Sequence, residues 1–168
     1  MITAEYARQM TRYTRWQNTS LLTAADGLTD QARRQDRGAF FGSIAATLNH
    51  LLWGDRLWLC RLTGADMPNV GSLTASATEI LEWDSYKSAR ATCDADLTTW
   101  AEALTDEDTS GDVHWHSFAM NRAFVTPRDI AIIHLFNHGT HHRGQVHAML
   151  TAAGAKPDDT DLPFMPVV

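Results

Sequence analysis

The segment HLFNHGTHHRGQVH, residues 134–147, holds five of the chain's eight histidines. A neutral imidazole offers a nitrogen lone pair to a metal ion, and residues four apart on a helix point the same way. His134 and His138 have that spacing, and so do His138 and His142. A helical wheel separates the two pairs. Counting about 100° per residue from His134, the apolar positions Ala131, Leu135, Val146, Met149 and Ala153 fall between roughly 60° and 120°. His142 at about 80° and His138 at about 40° point into that face, whereas His134 and His141, near about 0° and −20°, lie at its edge. His147, near about 220°, should lie outside it.

Two inward imidazoles need partners, because a buried polar group without one is unfavourable. A third ligand is available in His50, which shares a helical stripe with Ala46, Trp53 and Leu57. His114 and His116 are alternatives; they alternate onto one side of a candidate strand and read more readily as exposed hairpin residues. Cys60 is too far from His50, about 15 Å along a helix, to share an ion whose ligand bonds are about 2 Å. Three histidines leave a coordination position open, the pattern of catalytic zinc sites, where a divalent ion generates hydroxide or activates a thiolate. Asp55 lies about 140° around the helix from His50, which suits a cap or a salt bridge better than a base. For Arg143, packing, a surface ion pair and substrate-anion binding stay open, in that order. Trp53 and Trp58 read as core or pocket wall.

Four helical segments must position these residues. The first spans 4–25 and stops at Gly27; the second spans 43–62 and stops at Thr63–Gly64, with Pro68 beyond. The third, 85–104, is more polar, with Asp94 and Asp96 off its apolar stripe and turned to water. Between Thr109 and Thr126, VHWHSF and RAFV form two short strands with a turn near Met120–Asn121. Thr126 as N-cap and Pro127 as first residue then open a fourth helix that runs to 153, where Gly154 ends it. The proline-rich tail is extended. The expected fold is all-α: one domain over 1–168, a four-helix bundle with a small β-hairpin before the last helix.

A net charge of −6 and the lack of a basic run argue against a nucleic-acid partner. Arg33, Arg34 and Arg37, interrupted by Asp36, read as a solvated loop. The N-terminal residues mix charge into every turn, which implies no membrane association and a cytoplasmic location. Cys60 and Cys93 have no CxxC spacing and should be free thiols. Ile132, Ile133 and Phe136 lie outside the inward sector of the last helix, and surplus apolar surface of that kind suggests a homodimer.

At YTRWQNTSLL, FFGSIAATLNHLLWGDRLWLCRLTG, HLFNHGTHHRGQVHAML and AGAKPDDTDLPF, in that order, the chain resembles the DinB/YfiT-like family of metalloenzymes. The resemblance spans nearly the whole chain and is loosest over the third helix and residues 109–126. It implies a four-helix bundle with a long crossover and a metal, commonly zinc or nickel, held by three histidines. Carried over residue by residue, the helix-two ligand falls on His50 and the helix-four ligands on His138 and His142. Some members of the family are thiol-dependent transferases or isomerases that use low-molecular-weight thiols; with the open three-histidine site, the expectation is a metal-dependent enzyme of thiol S-transferase or hydrolase type acting on a small molecule, such as a low-molecular-weight thiol. A non-catalytic metal-binding or stress-response protein with a structural ion is the other expectation. The family's name refers to DNA-damage induction and carries no implication of DNA binding.

Overall fold

A computed structural model describes residues 2–66, 72–117 and 120–166. Pro68 and Phe118, used above as a breaker and a strand residue, lie outside the described residues. Helix α1 spans Ala4–Asp26, with Thr3 Oγ1 accepting from the Tyr6 amide as its N-cap. A short α2, Asp30–Arg34, leads into α3, Ile44–Thr63, where Ser43 Oγ caps the Ala46 amide and Gly64 ends the helix at φ 76°. That left-handed stop is open to glycine without strain. A single turn, α4 (Leu73–Ser76), precedes α5, Trp83–Ala103. Strands β1 (Asp112–Ser117) and β2 (Arg122–Pro127) pair antiparallel, and α6 covers Arg128–Ala152. Asn121, in the expected turn, has φ 46°, which asparagine tolerates better than most residues.

The four long helices pack as a ring. α1 lies against α5 and α6, and α3 lies against the same two. The connections from α1 to α3 and from α5 to α6 therefore cross the bundle, and the hairpin is part of the second crossing. Helix α3 is apolar on two sides because it meets both neighbours: Leu48, Leu51, Leu52 and Ile44 are all buried. Tyr86 of α5 reaches across to donate to the Leu48 carbonyl at 3.0 Å. Among the described residues, no helix is long and apolar enough to cross a membrane.

The structure corrects five expectations. Asp94 does not face water; it is buried and accepts from Asn18 Nδ2 (2.9 Å) while lying 2.8 Å from Arg90 Nη2. An apolar stripe cannot reveal that α5 buries a charge network beside it. Arg33 is not solvated either: in α2 it donates to the Ala25 and Leu28 carbonyls at the end of α1, and its guanidinium lies over Trp83. The last helix starts one residue later than expected. Strand pairing continues through Pro127, and Thr126 Oγ1 accepts from Trp115 Nε1 instead of capping. The third helix begins at Trp83 rather than Ser85. Finally, Ile132 and Phe136 are 1% and 2% exposed, Phe136 packing edge-on against Tyr6 at 6.0 Å. These two lie in the core of one chain, because a helix packed on both α1 and α3 has a wider inward face than the wheel assumed, while Ile133 is half-buried.

Candidate metal centre

His50 comes from the second turn of α3, and His138 and His142 sit one turn apart on α6, the helix that α3 packs against most extensively. One nitrogen from each ring lies within 4.8 Å of the other two. The Nε2 atoms of His50 and His138 are 3.3 Å apart, and the ring of His142 is 4.7 Å from His50 and 4.5 Å from His138. Gly54, one turn beyond His50, lets the helices come this close: a Cβ there would stand 2.6 Å from His138 Cε1. Glycine inside a helix is unfavourable by roughly 1 kcal/mol relative to alanine, yet here only a hydrogen fits. Gly54→Ala is expected to tilt the His138 ring and weaken metal binding by about ten- to a hundredfold, read by competition against a chromogenic chelator.

Hydrogen bonds aim two of the rings. Ser76 Oγ donates to the Leu73 carbonyl, so it accepts from His50 Nδ1–H at 2.9 Å, which leaves the Nε2 lone pair of His50 facing its neighbours. His142 Nδ1–H donates to Gln145 Oε1 at 2.8 Å with the same result, and Gln145 Nε2 donates in turn to His141 Nε2 at 3.1 Å. His138 has no such anchor. Its Nδ1 is buried with no hydrogen-bond partner, while its Nε2 faces that of His50. Either tautomer leaves one nitrogen of His138 unsatisfied or two lone pairs opposed. A cation between the three Nε2 atoms would turn the opposed lone pairs into ligands, leaving only His138 Nδ1–H without an acceptor, so the donor set fits a divalent transition-metal ion. Gln145→Leu is expected to retain the ion but lower affinity by about tenfold, measured by the same competition.

Burial keeps the rings neutral. His50 is pushed down to about 4 by desolvation, then by the neighbouring His142. Desolvation and the surrounding histidines take His138 to about 3, and His142 is lowered chiefly by burial, against a hydrogen bond to Gln145 that acts the other way. In the unfolded chain a histidine titrates near about 6.5. As pH falls from there, the unfolded state takes up protons that the folded state refuses, so the apoprotein loses stability progressively as pH falls from about 6.5 towards 4. Urea melts of chelator-treated protein across that range should show the midpoint falling with pH, and added metal should delay the fall.

The rings open into a cleft of about 370 Å³ whose other walls are Phe40, Phe41, Leu73, His141 and Gln145. Phe41 stacks on His50 with centroids 4.0 Å apart and covers one side of the site. The other candidate residues lie elsewhere. His134 is exposed and packs on Trp58, with ring centroids 4.6 Å apart; it neighbours the His138 ring at 5.7 Å but is not part of the three-nitrogen cluster, and His114 and His116 are exposed on β1. His141 is at the rim, edge-on to the His142 ring at 4.9 Å and linked to it through Gln145. His147 is half-buried, facing Tyr13 and Arg143 rather than the cleft. Cys60 donates its thiol to the Asp66 carbonyl, and both cysteines are free, as expected. Asp55 forms the anticipated salt bridge, to Arg90 at 2.7 Å. Arg143 is buried against Tyr13 and Thr140, which bears out packing over a surface ion pair. Trp53 flanks His50 at 5.6 Å and Trp58 is buried. Phe41, Ser76, Gly54 and Gln145 were not singled out from sequence. Of these only Gln145 carried a local signal, its three-residue spacing from His142.

The family model described as DinB family matches residues 1–167. No curated protein matches the sequence. Among solved structures, the chain is similar to the crystal structure of a DinB-like protein from Bacillus cereus, with 19% identity and a TM-score of 0.61. That match covers 86% of this chain and 90% of the other, and at this identity it speaks for the fold.

Proposed function

The chain belongs to the DinB family, and on that premise we propose that it is a cytoplasmic metal-dependent enzyme that joins a low-molecular-weight thiol to a small-molecule acceptor. His50, His138 and His142 would hold one divalent ion, zinc or nickel. The observation that carries the reading is the convergence of three neutral imidazoles at the floor of an open cleft. A bound ion supplies Lewis acidity there, lowering the pKa of a thiol so that it reacts as thiolate near neutral pH.

The protein's own groups do the rest. Ser76 and Gln145 hold two ring tautomers, and Phe41 shields the His50 face from water. The thiol proton leaves through the open cleft to solvent, and the sulfur electron pair forms the new bond to the acceptor as its leaving group departs. Thiol transfer is favoured over hydrolysis because no carboxylate is among the described residues lining the cleft, Asp55 is tied to Arg90, and the one non-ligand base there, His141, has its Nε2 engaged by Gln145. Metal-assisted hydrolysis calls for a base beside the attacking water; a thiol needs only activation and access.

The test is depletion and reloading of the metal with thiol conjugation followed by mass spectrometry. Product formation should vanish on chelation and return with zinc or nickel. A purely structural ion would instead raise the melting temperature by linkage while no thiol or hydrolase panel showed turnover, and that result would overturn the proposal.

A further inference from the structure

The walls of the histidine cleft carry a second message. Beyond the ligands they are Phe40, Phe41, Leu73, His141 and Gln145, with no Lys, Arg, Asp or Glu among the described lining residues. Phe40 and Phe41 stand at the tip of a tight turn closed by the Gly42 amide donating to the Ala39 carbonyl at 2.7 Å and the Arg37 amide donating to the Gly42 carbonyl at 2.7 Å. Gly42 at φ 80° and Gly38 at φ 72° make that turn sharp, and Asp36 Oδ1 accepts from the Gly38 amide to hold its base. The turn is thus a rigid mount. It assigns its two phenyl rings different surroundings: Phe41 lies on His50, while Phe40, edge-on to Phe41 at 4.9 Å, is 76% exposed. Across the cleft Leu73, at the start of the turn that carries Ser76, is 44% exposed.

We propose that this rim is an aryl subsite: Phe40, Phe41 and Leu73 grip an uncharged aromatic group of the substrate while its sulfur lies at the three histidines. The inference rests on the thiol reading above and names the substrate class for that site. The rim carries it: beyond the three histidines the described lining offers no Lys or Arg to pair a carboxylate or phosphate, while Phe40, Phe41 and Leu73 offer apolar surface. A phenyl ring held in water beside a second one offers the face and edge that an aromatic group packs against, and an apolar patch next to a reactive site marks a binding surface.

Cobalt-loaded full-length protein separates the two claims, because a thiolate on cobalt gives a near-ultraviolet charge-transfer band. Benzyl mercaptan and 2-mercaptoethanesulfonate are the probes. Benzyl mercaptan should bind about tenfold more tightly, and in Phe40→Ala the ratio of the two affinities should fall towards one. Equal affinities, or a ratio unchanged in Phe40→Ala, would overturn the aryl subsite while leaving the thiol site standing. A band with neither probe would overturn the thiol reading. The aryl subsite is then read without sulfur, by saturation-transfer NMR of benzyl alcohol against 2-hydroxyethanesulfonate on the zinc-loaded protein. Contacts to the aryl protons that Phe40→Ala removes support it. No contact, together with a dimer in sedimentation that Phe40→Ala dissolves, would assign the rim to a second copy of the chain instead.

Discussion

Asp55→Ala is expected to destabilise the protein by about 3–5 kcal/mol, the range for breaking a buried ion pair by removing one partner. Asp55 and Arg90 are 2% and 1% exposed, and their contact is 2.7 Å. Without Asp55, the Arg90 guanidinium keeps only Asp94 as a carboxylate partner, at 2.8 Å. Burial, with Asp55 adding to it, raises the Asp94 pKa against Arg90 and Asn18, so one carboxylate is left where the buried guanidinium had two. The pair bridges α3 to α5, so the loss loosens the face of α3 away from the histidines. Urea denaturation of the purified variant measures the effect. A change under about 1 kcal/mol would mean that the pair is solvated or replaced.

Replacing His50, His138 or His142 with Ala is expected to abolish stoichiometric metal binding, whereas Ala at His134, His141 or His147 should leave the ion in place. The three ligands bring their nitrogens within 4.8 Å of one another. His134 instead packs on Trp58, and His147 faces Tyr13 and Arg143. His141→Ala removes the outer end of the chain through Gln145 and an edge-on contact with the His142 ring at 4.9 Å, but no ligand nitrogen, so its effect should stay within about tenfold. Elemental analysis of each folded variant decides the matter. A full complement of metal in His142→Ala alongside loss in His134→Ala would reverse the assignment.

The long helices, the hairpin and the pair His138/His142 were legible in the sequence because each rests on local periodicity, whereas the choice of His50 over His114 and His116 came from the family resemblance. Three- and four-residue steps mark α1, α3 and α6, and the i,i+4 pair His138/His142 needs only the helix wheel. What stayed hidden depends on which elements meet. Asp94 reads as a surface charge until Arg90 and Asn18 are brought beside it, and Phe136 reads as surplus until α1 covers it. The same holds around the site. Ser76 and Phe41 belong to short connecting segments, and no spacing rule ties them to His50. The role of Gly54 shows only where α6 carries His138 against it.

The central claim is one divalent ion on three imidazoles with a position left open. X-ray absorption spectroscopy of protein loaded with one equivalent of zinc tests it most directly. The expected spectrum has three imidazole nitrogens at about 2.0–2.1 Å and one further light atom from solvent. A sulfur scatterer, a fourth imidazole, or a shell with fewer than three imidazoles would contradict it.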